Sequence, residues 1–426
     1  MARLRSVFSM SFLIASVIAS EGLGQQPNWP QWRGPERDGI SKETGLLKSW
    51  PAGGPKRDWM FENCGTGFGG PAVVDGRIYI MGARGGEDFL LCLDSAKGTE
   101  IWRASMGDAL KNDWADGSRG TPSVVEGRVY ALSGSGTLIC VQARDGREVW
   151  RKTMQELGGA TPFWGYSESV LVDGNRVLCT PGGKQGAIAA FNRTTGAALW
   201  RSSDVTEVAH YSSIIRAEFH GRPQYVQLME KRLIGLAPDT GELLWEAPFP
   251  GGNVAVIPTP IASNGKVFVT AGYGAGCMLV DVAADNTAKV LYDNNVMKNH
   301  HGGVVLVGDY IYGHSDDVGW ICMNFLTGKR MWRDEEVFDK GAITYSDGLL
   351  YCVGEGNGQD DANVALVEPS PDGWKEISRF KLNPQSTIRK PYGRIWTHPV
   401  IVGGKLILRD QDKLYCYDVK GSVGEQ

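Results

Sequence analysis

The sequence lacks the patterns of several large protein classes. No stretch repeats apolar residues with the 3.6-residue period of an amphipathic helix, which argues against a helical fold. Basic residues are not in excess and the formal net charge is −4, so neither a nucleic-acid surface nor a Lys/Arg-rich membrane contact is expected. Cys-x-x-Cys-His, His-Glu-x-x-His and the nucleophile elbow of hydrolases are also missing. These absences give no support to a haem protein, a zinc protease or a serine hydrolase.

One long apolar run lies near the start of the chain, from Val7 to Ala19, and it follows Arg3 and Arg5. The run is shorter than the ~20 residues that a membrane-spanning helix needs. A positively charged start followed by a short apolar run is typical of a secretory signal peptide. We therefore predict a signal peptide over residues 1–24 and an exported protein, periplasmic or extracellular, that is not an integral membrane protein. An uncleaved N-terminal anchor is the alternative.

Glycine and tryptophan are abundant, with 57 and 14 residues. An aromatic residue, usually Trp, recurs every 40 to 50 residues, each time just after a Gly-containing turn. The recurring positions are Trp59, Trp102, Trp150, Trp200, Trp245, Tyr292, Trp332 and Phe380. A fixed period of this length indicates stacked copies of one supersecondary unit. Because the period runs through most of the chain, we expect one repetitive domain.

The clearest unit spans residues 122–154, where short apolar segments alternate with turns. Two of these turns contain Glu126-Gly127 and Asp145-Gly146. Glycine favours such turns because two-residue hairpins require positive φ angles, which it adopts without steric cost. Each unit is therefore predicted to be a four-stranded antiparallel meander.

The two ends of the chain carry complementary parts of one unit. Residues 57–61 predict a fourth strand without its first three, and the last 30 or so residues predict three strands without a fourth. Pairing them completes an eighth unit and closes a ring that leaves only short strand edges. The sequence thus predicts an all-β, eight-bladed β-propeller over residues 57–420, a monomer. An N-terminal segment over 25–56 is expected to pack on the ring, and 421–426 to form a tail.

Eight cysteines in an exported chain raise the question of a disulfide framework. Cys92, Cys140, Cys322 and Cys416 occupy the same place in their units. Equivalent positions in neighbouring units do not generally approach to the ~5.5 Å between Cα atoms that a disulfide needs. We therefore expect most of the cysteines to be small buried apolar residues.

The unit resembles the PQQ-like repeat of quinoprotein-type propellers. The likeness lies in Gly-Arg-Val-Tyr at 127–130 and Thr-Gly-Glu-Leu-Leu-Trp at 240–245, and Trp-Pro-Gln-Trp-Arg-Gly-Pro at 29–35 is similar to the start of exported bacterial members. The resemblance implies that the repeat Trp packs between adjacent blades. It implies two kinds of function: dehydrogenases that bind pyrroloquinoline quinone and calcium in the central funnel, and BamB-like scaffolds that bind proteins.

The adjacent Cys-Cys pair typical of the dehydrogenase branch is missing from this chain, which is also shorter than typical members of that branch. We therefore expect no cofactor. Pyrroloquinoline quinone with calcium is the alternative.

In a propeller, functional groups usually lie in the segments that lead into each innermost strand, because these segments converge on one mouth of the channel. Our candidate ligand- or partner-binding residues in these segments are Arg119, Trp164, Tyr211, Asn299, His300, His301, Arg394, Trp396 and His398. Arg119, Arg394 and Lys340 would make a cationic mouth for an acidic peptide or anionic sugar, unless they pair with Asp116 and Asp339. The aromatic residues would form a platform for a sugar or peptide, unless they only pack around the channel.

Adjacent histidines are a common feature of metal sites. Neighbouring side chains on an extended chain point to opposite faces, so we expect at most one of His300 and His301 to serve a given site. No motif with metal-ligand spacing supports a metal here.

The sequence leads to a non-catalytic, exported propeller scaffold that binds an envelope protein or a polymer at one face of the ring. A quinone- or metal-dependent oxidoreductase and a carbohydrate-binding propeller are the alternatives. No catalytic residue and no metal ligand is predicted.

Overall fold

The computed structural model of the protein describes residues 27–251, 254–356 and 362–421. The predicted signal peptide and most of the predicted tail lie outside these residues. The described residues form 33 β-strands and no α-helix, and so contain no helix that could cross a membrane. Two strands precede the first complete blade, β1 (Ile40–Ser41) and β2 (Arg57–Phe61).

Eight antiparallel sheets form the eight blades of a β-propeller, which confirms the predicted fold. Blades 1 to 4 contain β3 (Ala72–Val74), β4 (Arg77–Arg84), β5 (Glu87–Asp94), β6 (Glu100–Asp108); β7 (Ser123–Val125), β8 (Arg128–Leu132), β9 (Thr137–Gln142), β10 (Glu148–Thr153); β11 (Leu171–Asp173), β12 (Arg176–Cys179), β13 (Ala189–Asn192), β14 (Ala198–Arg201); and β15 (Ile215–Phe219), β16 (Arg222–Leu228), β17 (Arg232–Leu236), β18 (Leu243–Pro248).

Blades 5 to 8 contain β19 (Ile261–Ser263), β20 (Lys266–Ala271), β21 (Gly276–Val282), β22 (Ala288–Asn294); β23 (Val304–Val307), β24 (Tyr310–Ser315), β25 (Gly319–Asn324), β26 (Arg330–Asp334); β27 (Gly341–Ser346), β28 (Leu349–Gly354), β29 (Asn363–Glu368), β30 (Lys375–Lys381); and β31 (Val400–Val402), β32 (Lys405–Asp410), β33 (Lys413–Asp418) with β2. In blades 1 to 7 the meander strand that comes first in the chain is innermost. In blade 8 the innermost strand is β31, and β2, from near the start of the chain, is the outermost.

The ring is closed by β2, which pairs antiparallel with β33. Trp59 lies opposite Cys416 and Phe61 opposite Leu414. The N-terminal strand therefore supplies the fourth strand of the last blade, as predicted. Pairing with β2 covers the edge of β33 that would otherwise be free.

Hairpin turns connect the strands because their residues accept positive φ. Glu126 and Gly127, between β7 and β8, have φ angles of 47° and 72°, the combination that a two-residue turn with strand-like twist requires. The apolar sides of neighbouring blades then share one core. Tyr79 and Cys92 of blade 1, for example, belong to the same cluster as Val129 and Val141 of blade 2. All eight cysteines are buried free thiols.

The repeat aromatics link neighbouring blades. In five of them the indole Nε1 donates a hydrogen bond to a backbone carbonyl in the next blade: Trp59 to Ser95 (3.0 Å), Trp102 to Ala143 (3.0 Å), Trp150 to Arg193 (3.0 Å), Trp200 to Pro238 (2.9 Å) and Trp332 to Ser370 (2.7 Å). The hydroxyl of Tyr292 donates to the Phe325 carbonyl in the same way, at 2.8 Å. Trp245 differs, since its Nε1 donates to Gln224 Oε1 at 2.6 Å within its own blade.

Blade 7 departs from the predicted register. The β-bulge in β30 places Ser378, rather than Phe380, at the position of the repeat Trp, so the prediction for Phe380 is wrong by two residues. Trp50 of the N-terminal segment packs there instead. Its ring lies 5.4 Å from that of Phe380 and 5.8 Å from that of Tyr351, and its backbone N donates to Ser378 Oγ at 2.8 Å.

The N-terminal segment, residues 28–50, runs across the end of the channel opposite the mouth. It contacts the far ends of innermost strands in several blades. Trp29 pairs with Val73, the Pro30 carbonyl accepts from Val124 N at 2.8 Å, and β1 pairs parallel with β27. Residues from this segment therefore enter the channel from the end opposite the mouth.

Candidate functional site

One end of the channel holds a cavity of about 240 Å³, here called the chamber. Seven of the nine candidate residues line it: Arg119, Trp164, Tyr211, His300, His301, Trp396 and His398. They come from segments between consecutive blades that are far apart in the sequence. The meander brings them together because every innermost strand starts at the same end of the ring. We call this end the mouth.

Asn299 and Arg394 are not among the lining residues. Asn299 is buried, and its Nδ2 donates to the carbonyls of Gly303 and His314, both at 2.9 Å, so it fixes the turn that carries the histidines. The Arg394 Nη1 donates to the Pro391 and Gly393 carbonyls within its own loop. Both residues shape loops at the mouth.

His300 and His301 lie on the same wall, which corrects the expectation that they point apart. Their ring centroids are 3.6 Å from each other. The chain bends at His301 and Gly302 instead of running extended, so side chains do not alternate there. The ring of His301 stacks on Trp396, with centroids 4.1 Å apart and an interplanar angle of 17°.

A charged network lies beside His300. Lys340 Nζ is 2.8 Å from Asp316 Oδ1, 2.9 Å from His300 Nδ1 and 3.8 Å from Glu355 Oε1. Glu355 in turn accepts a hydrogen bond from Trp396 Nε1. The carboxylate next to Lys340 is thus Asp316, in the turn between β24 and β25, and not Asp339 as the sequence suggested.

Burial keeps the chamber histidines neutral. Desolvation lowers the pKa of His300 to about 3, with a further contribution from the positive charge of Lys340. It also lowers the pKa of His398 to about 3, and that of His301 falls well below its usual value. Burial raises the pKa of Glu355. At neutral pH the imidazoles therefore act as hydrogen-bonding groups without charge.

Arg119, one of the two arginines of the chamber, forms its hydrogen bonds with backbone carbonyls. Arg119 donates to the carbonyls of Gly117 and Ala115, and its guanidinium lies 5.6 Å from the ring centroid of Phe68. Desolvation lowers the pKa of Arg119 to about 10. Arg119 thus pairs with carbonyls and not with Asp116, whose partners are Lys111 and Lys390.

The N-terminal segment supplies the floor of the chamber, which sequence reasoning did not anticipate. Trp32 lies 4.6 Å from the ring of His398, and its Nε1 donates to Thr259 Oγ1 at 2.8 Å. Arg33 is buried, and its Nη2 donates to the carbonyls of Asp38 and Val304. The Trp-x-x-Trp-Arg motif is the signal that could have located this floor. Lys340, which was predicted at the mouth, also lines the chamber, and the lining residues that were missed include Phe68, Trp114, Tyr273 and Glu355.

A group of aromatic rings, the rim cluster, extends from the chamber to the outer surface of the mouth. It comprises Trp114, Phe163, Trp164, Tyr211 and Tyr392. Trp114 lies 5.8 Å from Trp164, 6.3 Å from Phe163 and 5.7 Å from Tyr392, and Trp164 lies 5.8 Å from Tyr211. Phe163 is 72% exposed and Tyr392 is 62% exposed.

Known proteins share both the repeat and the ring. The model of the family "Outer membrane protein assembly factor BamB" matches residues 86–334, more than half of the chain. Among curated protein sequences, none matches significantly.

Solved structures share the fold at low identity. BamB from Moraxella catarrhalis aligns with a TM-score of 0.56 and 15% identity, over 84% of this chain and 94% of that one. Quinohemoprotein alcohol dehydrogenase from Comamonas testosteroni aligns with a TM-score of 0.60 and 12% identity, over 93% and 81%. The computationally designed Ika8 protein aligns with a TM-score of 0.55 and 12% identity, over 90% and 99%. At such identities the likeness concerns the fold alone.

Proposed function

The chain belongs to the family of the outer membrane protein assembly factor BamB, and from this premise we propose that it is an exported, non-catalytic propeller that binds a protein partner across the mouth of its channel. The observation that carries the proposal is the rim cluster, which combines buried and exposed rings in one patch. Exposed contiguous apolar patches in soluble proteins mark interaction sites.

The composition of the rim cluster fits a protein interface. Aromatic side chains are enriched among the residues that dominate binding energies, because each buries a large area at a small entropic cost. Phe163 and Tyr392 lie at the outside of the cluster, while Trp114 and Trp164 support them from below. A partner segment would therefore contact two exposed rings that are held in place by the rings packed beneath them.

The loops that carry these rings are held together across blades. Lys390 Nζ donates to the Asn112 carbonyl at 2.7 Å and to Asp116 Oδ1 at 2.8 Å. Asn112 Nδ2 donates to the Phe163 carbonyl at 3.2 Å. Loops fixed in this way lose little further freedom when a partner binds, which favours affinity.

The donor chemistry of the chamber does not fit a calcium–quinone centre. Within the described ranges, no group of three His, Cys, Asp or Glu side chains is placed to hold a metal ion. Asp316 and Glu355 already pair with Lys340, and about 240 Å³ is small beside the roughly 300–1,000 Å³ of sites for drug-sized ligands.

Site-specific photo-crosslinking tests partner binding. A benzophenone amino acid is placed at Phe163 or at Tyr392 in the producing cell, and the matched control carries it at Leu326. Leu326 is 53% exposed and lies in the hairpin between β25 and β26, which the meander places at the end of the ring opposite the mouth. We expect the same discrete adduct from both mouth positions and none from Leu326.

The variants Phe163→Ala and Tyr392→Ala should each weaken capture of that adduct partner about tenfold or more, the effect typical of residues that dominate an interface. Leu326→Ala should leave capture unchanged. Crosslinking that is equal at all three positions, or absent from the mouth, would refute a partner site at the rim cluster.

A titration with pyrroloquinoline quinone and Ca²⁺ tests the non-catalytic part of the proposal. We expect neither saturable binding nor reduction of an electron-accepting dye with alcohols or sugars. Dye reduction that depends on both the quinone and calcium would make the protein an oxidoreductase.

A further inference from the structure

We propose that the partner bound across the mouth inserts one acidic side chain, of Asp or Glu, into the chamber. The inference rests on the proposed function and adds to it the chemistry of the partner segment. The chamber is continuous with the rim cluster, because Trp114, Trp164 and Tyr211 belong to both. Apolar neighbours of the inserted residue then pack on the exposed rings of Phe163 and Tyr392.

The charged side chains that line the chamber are unequal in sign. Among the lining residues that the structure describes, the cations are Arg33, Arg119 and Lys340, and Glu355 is the only carboxylate. Burial lowers the pKa of Arg33 and of Arg119 to about 10, so both stay charged at neutral pH. The chamber wall therefore presents more positive than negative charge to a ligand.

The carboxylates that attract these three cations lie outside the chamber lining. They are Asp38 for Arg33, Asp88 for Arg119 and Asp316 for Lys340. Asp88 has no exposed surface at all. A group that enters the chamber therefore meets the cations before it meets their counter-charges.

The donors that remain open at the chamber call for an acceptor. The indole Nε1 atoms of Trp114 and Trp164 form no hydrogen bond with any described residue, and both keep some surface open to solvent. The side chain of Lys340 is 30% exposed. Indole and ammonium groups donate and do not accept, whereas an ionised carboxylate only accepts. A carboxylate therefore fits these donors better than a hydroxyl or an amide, which carry protons of their own.

Glu355 is the lining residue that opposes an acidic ligand, and its charge is already engaged. One carboxylate oxygen accepts a hydrogen bond from Trp396 Nε1, and Oε1 lies 3.8 Å from Lys340 Nζ. Burial also raises the pKa of Glu355. A second carboxylate nearby raises it further, so Glu355 can take up a proton when the ligand enters.

The closed floor limits what enters to a single side chain. Trp32 and Arg33 close the end of the chamber away from the mouth, so a peptide chain cannot pass through it. The guanidinium of Arg33 lies against Gly303, which also lines the chamber and leaves room for it by having no Cβ. A segment that crosses the mouth can therefore send one side chain toward a cation at the floor.

Saturation-transfer NMR on the purified protein tests this chemistry with three peptides. Acetyl-Phe-Glu-Phe-amide carries a side-chain carboxylate between two rings, and acetyl-Phe-Gln-Phe-amide is its neutral isostere. Acetyl-Phe-Gln-Phe with a free C-terminus carries its carboxylate at the chain end instead. We expect the Glu peptide to bind about tenfold more tightly than either of the others, the gain typical of hydrogen bonds to a charged group.

Variants of Lys340 test whether the preference arises in the chamber. Lys340→Gln should abolish the preference for Glu over Gln, because it removes a cation and leaves Asp316 and Glu355 without their partner. Lys340→Arg keeps the charge and should keep the preference. The matched control is Lys329→Gln in the hairpin between β25 and β26, at the end of the ring opposite the mouth, and it should change nothing.

The comparison among the peptides uses the unaltered protein, so it decides the question even where Lys340→Gln fails to fold. Equal binding of the Glu and Gln peptides, or no binding of the Glu peptide, would refute the acidic side chain. Tighter binding of the peptide with the free C-terminus would show that a chain end, and not a side chain, occupies the chamber.

Crosslinking in the producing cell separates this inference from the proposed function. With benzophenone at Phe163, Lys340→Gln should reduce the adduct about tenfold, in line with the peptides. An unchanged adduct would refute the acidic side chain but leave the partner at the rim cluster. No adduct from either mouth position, together with a retained preference for the Glu peptide, would refute only the protein-partner proposal.

Discussion

At the scale of single residues, tryptophan serves different purposes in the outermost strands of the blades and in the chamber. Five of the repeat Trp residues hold neighbouring blades together, and Trp102 does so by donating to the carbonyl of Ala143 in the next blade. The chamber residue Trp396 instead stacks on His301 and donates to Glu355. The period distinguished these two groups, because Trp396 falls outside it.

The protonation of His300 gives a prediction at this scale. Its ring should stay neutral from pH 8 down to about pH 4, because burial and Lys340 place its pKa at about 3. Imidazole ¹⁵N NMR checks this, with the signal assigned by its loss in His300→Gln. In the urea-unfolded chain the same ring should titrate with a pKa of about 6.5.

The effect of this shift on stability has a definite sign. Between about pH 6.5 and 3 the unfolded chain binds a proton at His300 that the folded chain does not. The contribution of His300 to the free energy of unfolding is therefore fully present above about pH 6.5 and is lost as the pH falls toward 3. A ring that titrates between pH 6 and 7 in the folded protein would contradict the burial of His300.

Residue pairs that depend on a local bend could not be predicted from the sequence. Strand alternation placed His300 and His301 on opposite faces, and the bend at Gly302 brings them to one wall instead. The partner of Lys340 was missed for a similar reason. Asp316 approaches it from a turn in the preceding blade, which no local pattern reveals.

At the scale of elements, the strands were predictable, whereas for the N-terminal segment only its packing on the ring was predicted and its path was not. Strands such as β7 and β8 follow from short apolar stretches around a Glu126-Gly127 turn. Residues 28–50 have no period, and their path depends on contacts with several blades at once. This segment both closes the chamber with Trp32 and completes blade 7 with Trp50.

Trp50 carries the prediction at this scale. Replacing it with Ala removes a buried ring that takes the position of the repeat Trp in blade 7, so we expect a loss of about 3–5 kcal/mol in unfolding free energy. Hydrogen exchange should increase first in β28 to β30. Trp245→Ala, which removes a buried repeat ring in blade 4, is the control and should increase exchange there instead.

Exchange that rises evenly around the ring in the Trp50 variant would contradict a local role. It would indicate that the N-terminal segment supports the propeller as a whole.

At the scale of the whole molecule, the fold was predictable because the repeat and the complementary chain ends specify both the number of blades and their closure. The position of the mouth also followed from the meander. The joining of chamber and rim cluster did not, since Trp32, Trp114 and Tyr392 come from three segments separated by most of the chain. Only closure of the ring brings blade 8 beside blade 1.

The function proposed for the molecule rests on one surface, the rim cluster, which is formed by the loops that lead into blades 8, 2, 3 and 4. The outer strands carry scattered exposed apolar residues, such as Ile101 and Leu199, but these lie on separate blades. Single exposed apolar residues are ordinary on protein surfaces. A bound partner should therefore protect the residues of the mouth.

Hydrogen exchange of the complex with the crosslinked partner tests this claim most directly. The account predicts slower exchange in residues 109–117, 161–167 and 384–394, and no change in the outer strands β6, β14 and β26. Protection confined to those outer strands, or to the face crossed by the N-terminal segment, would contradict binding at the mouth.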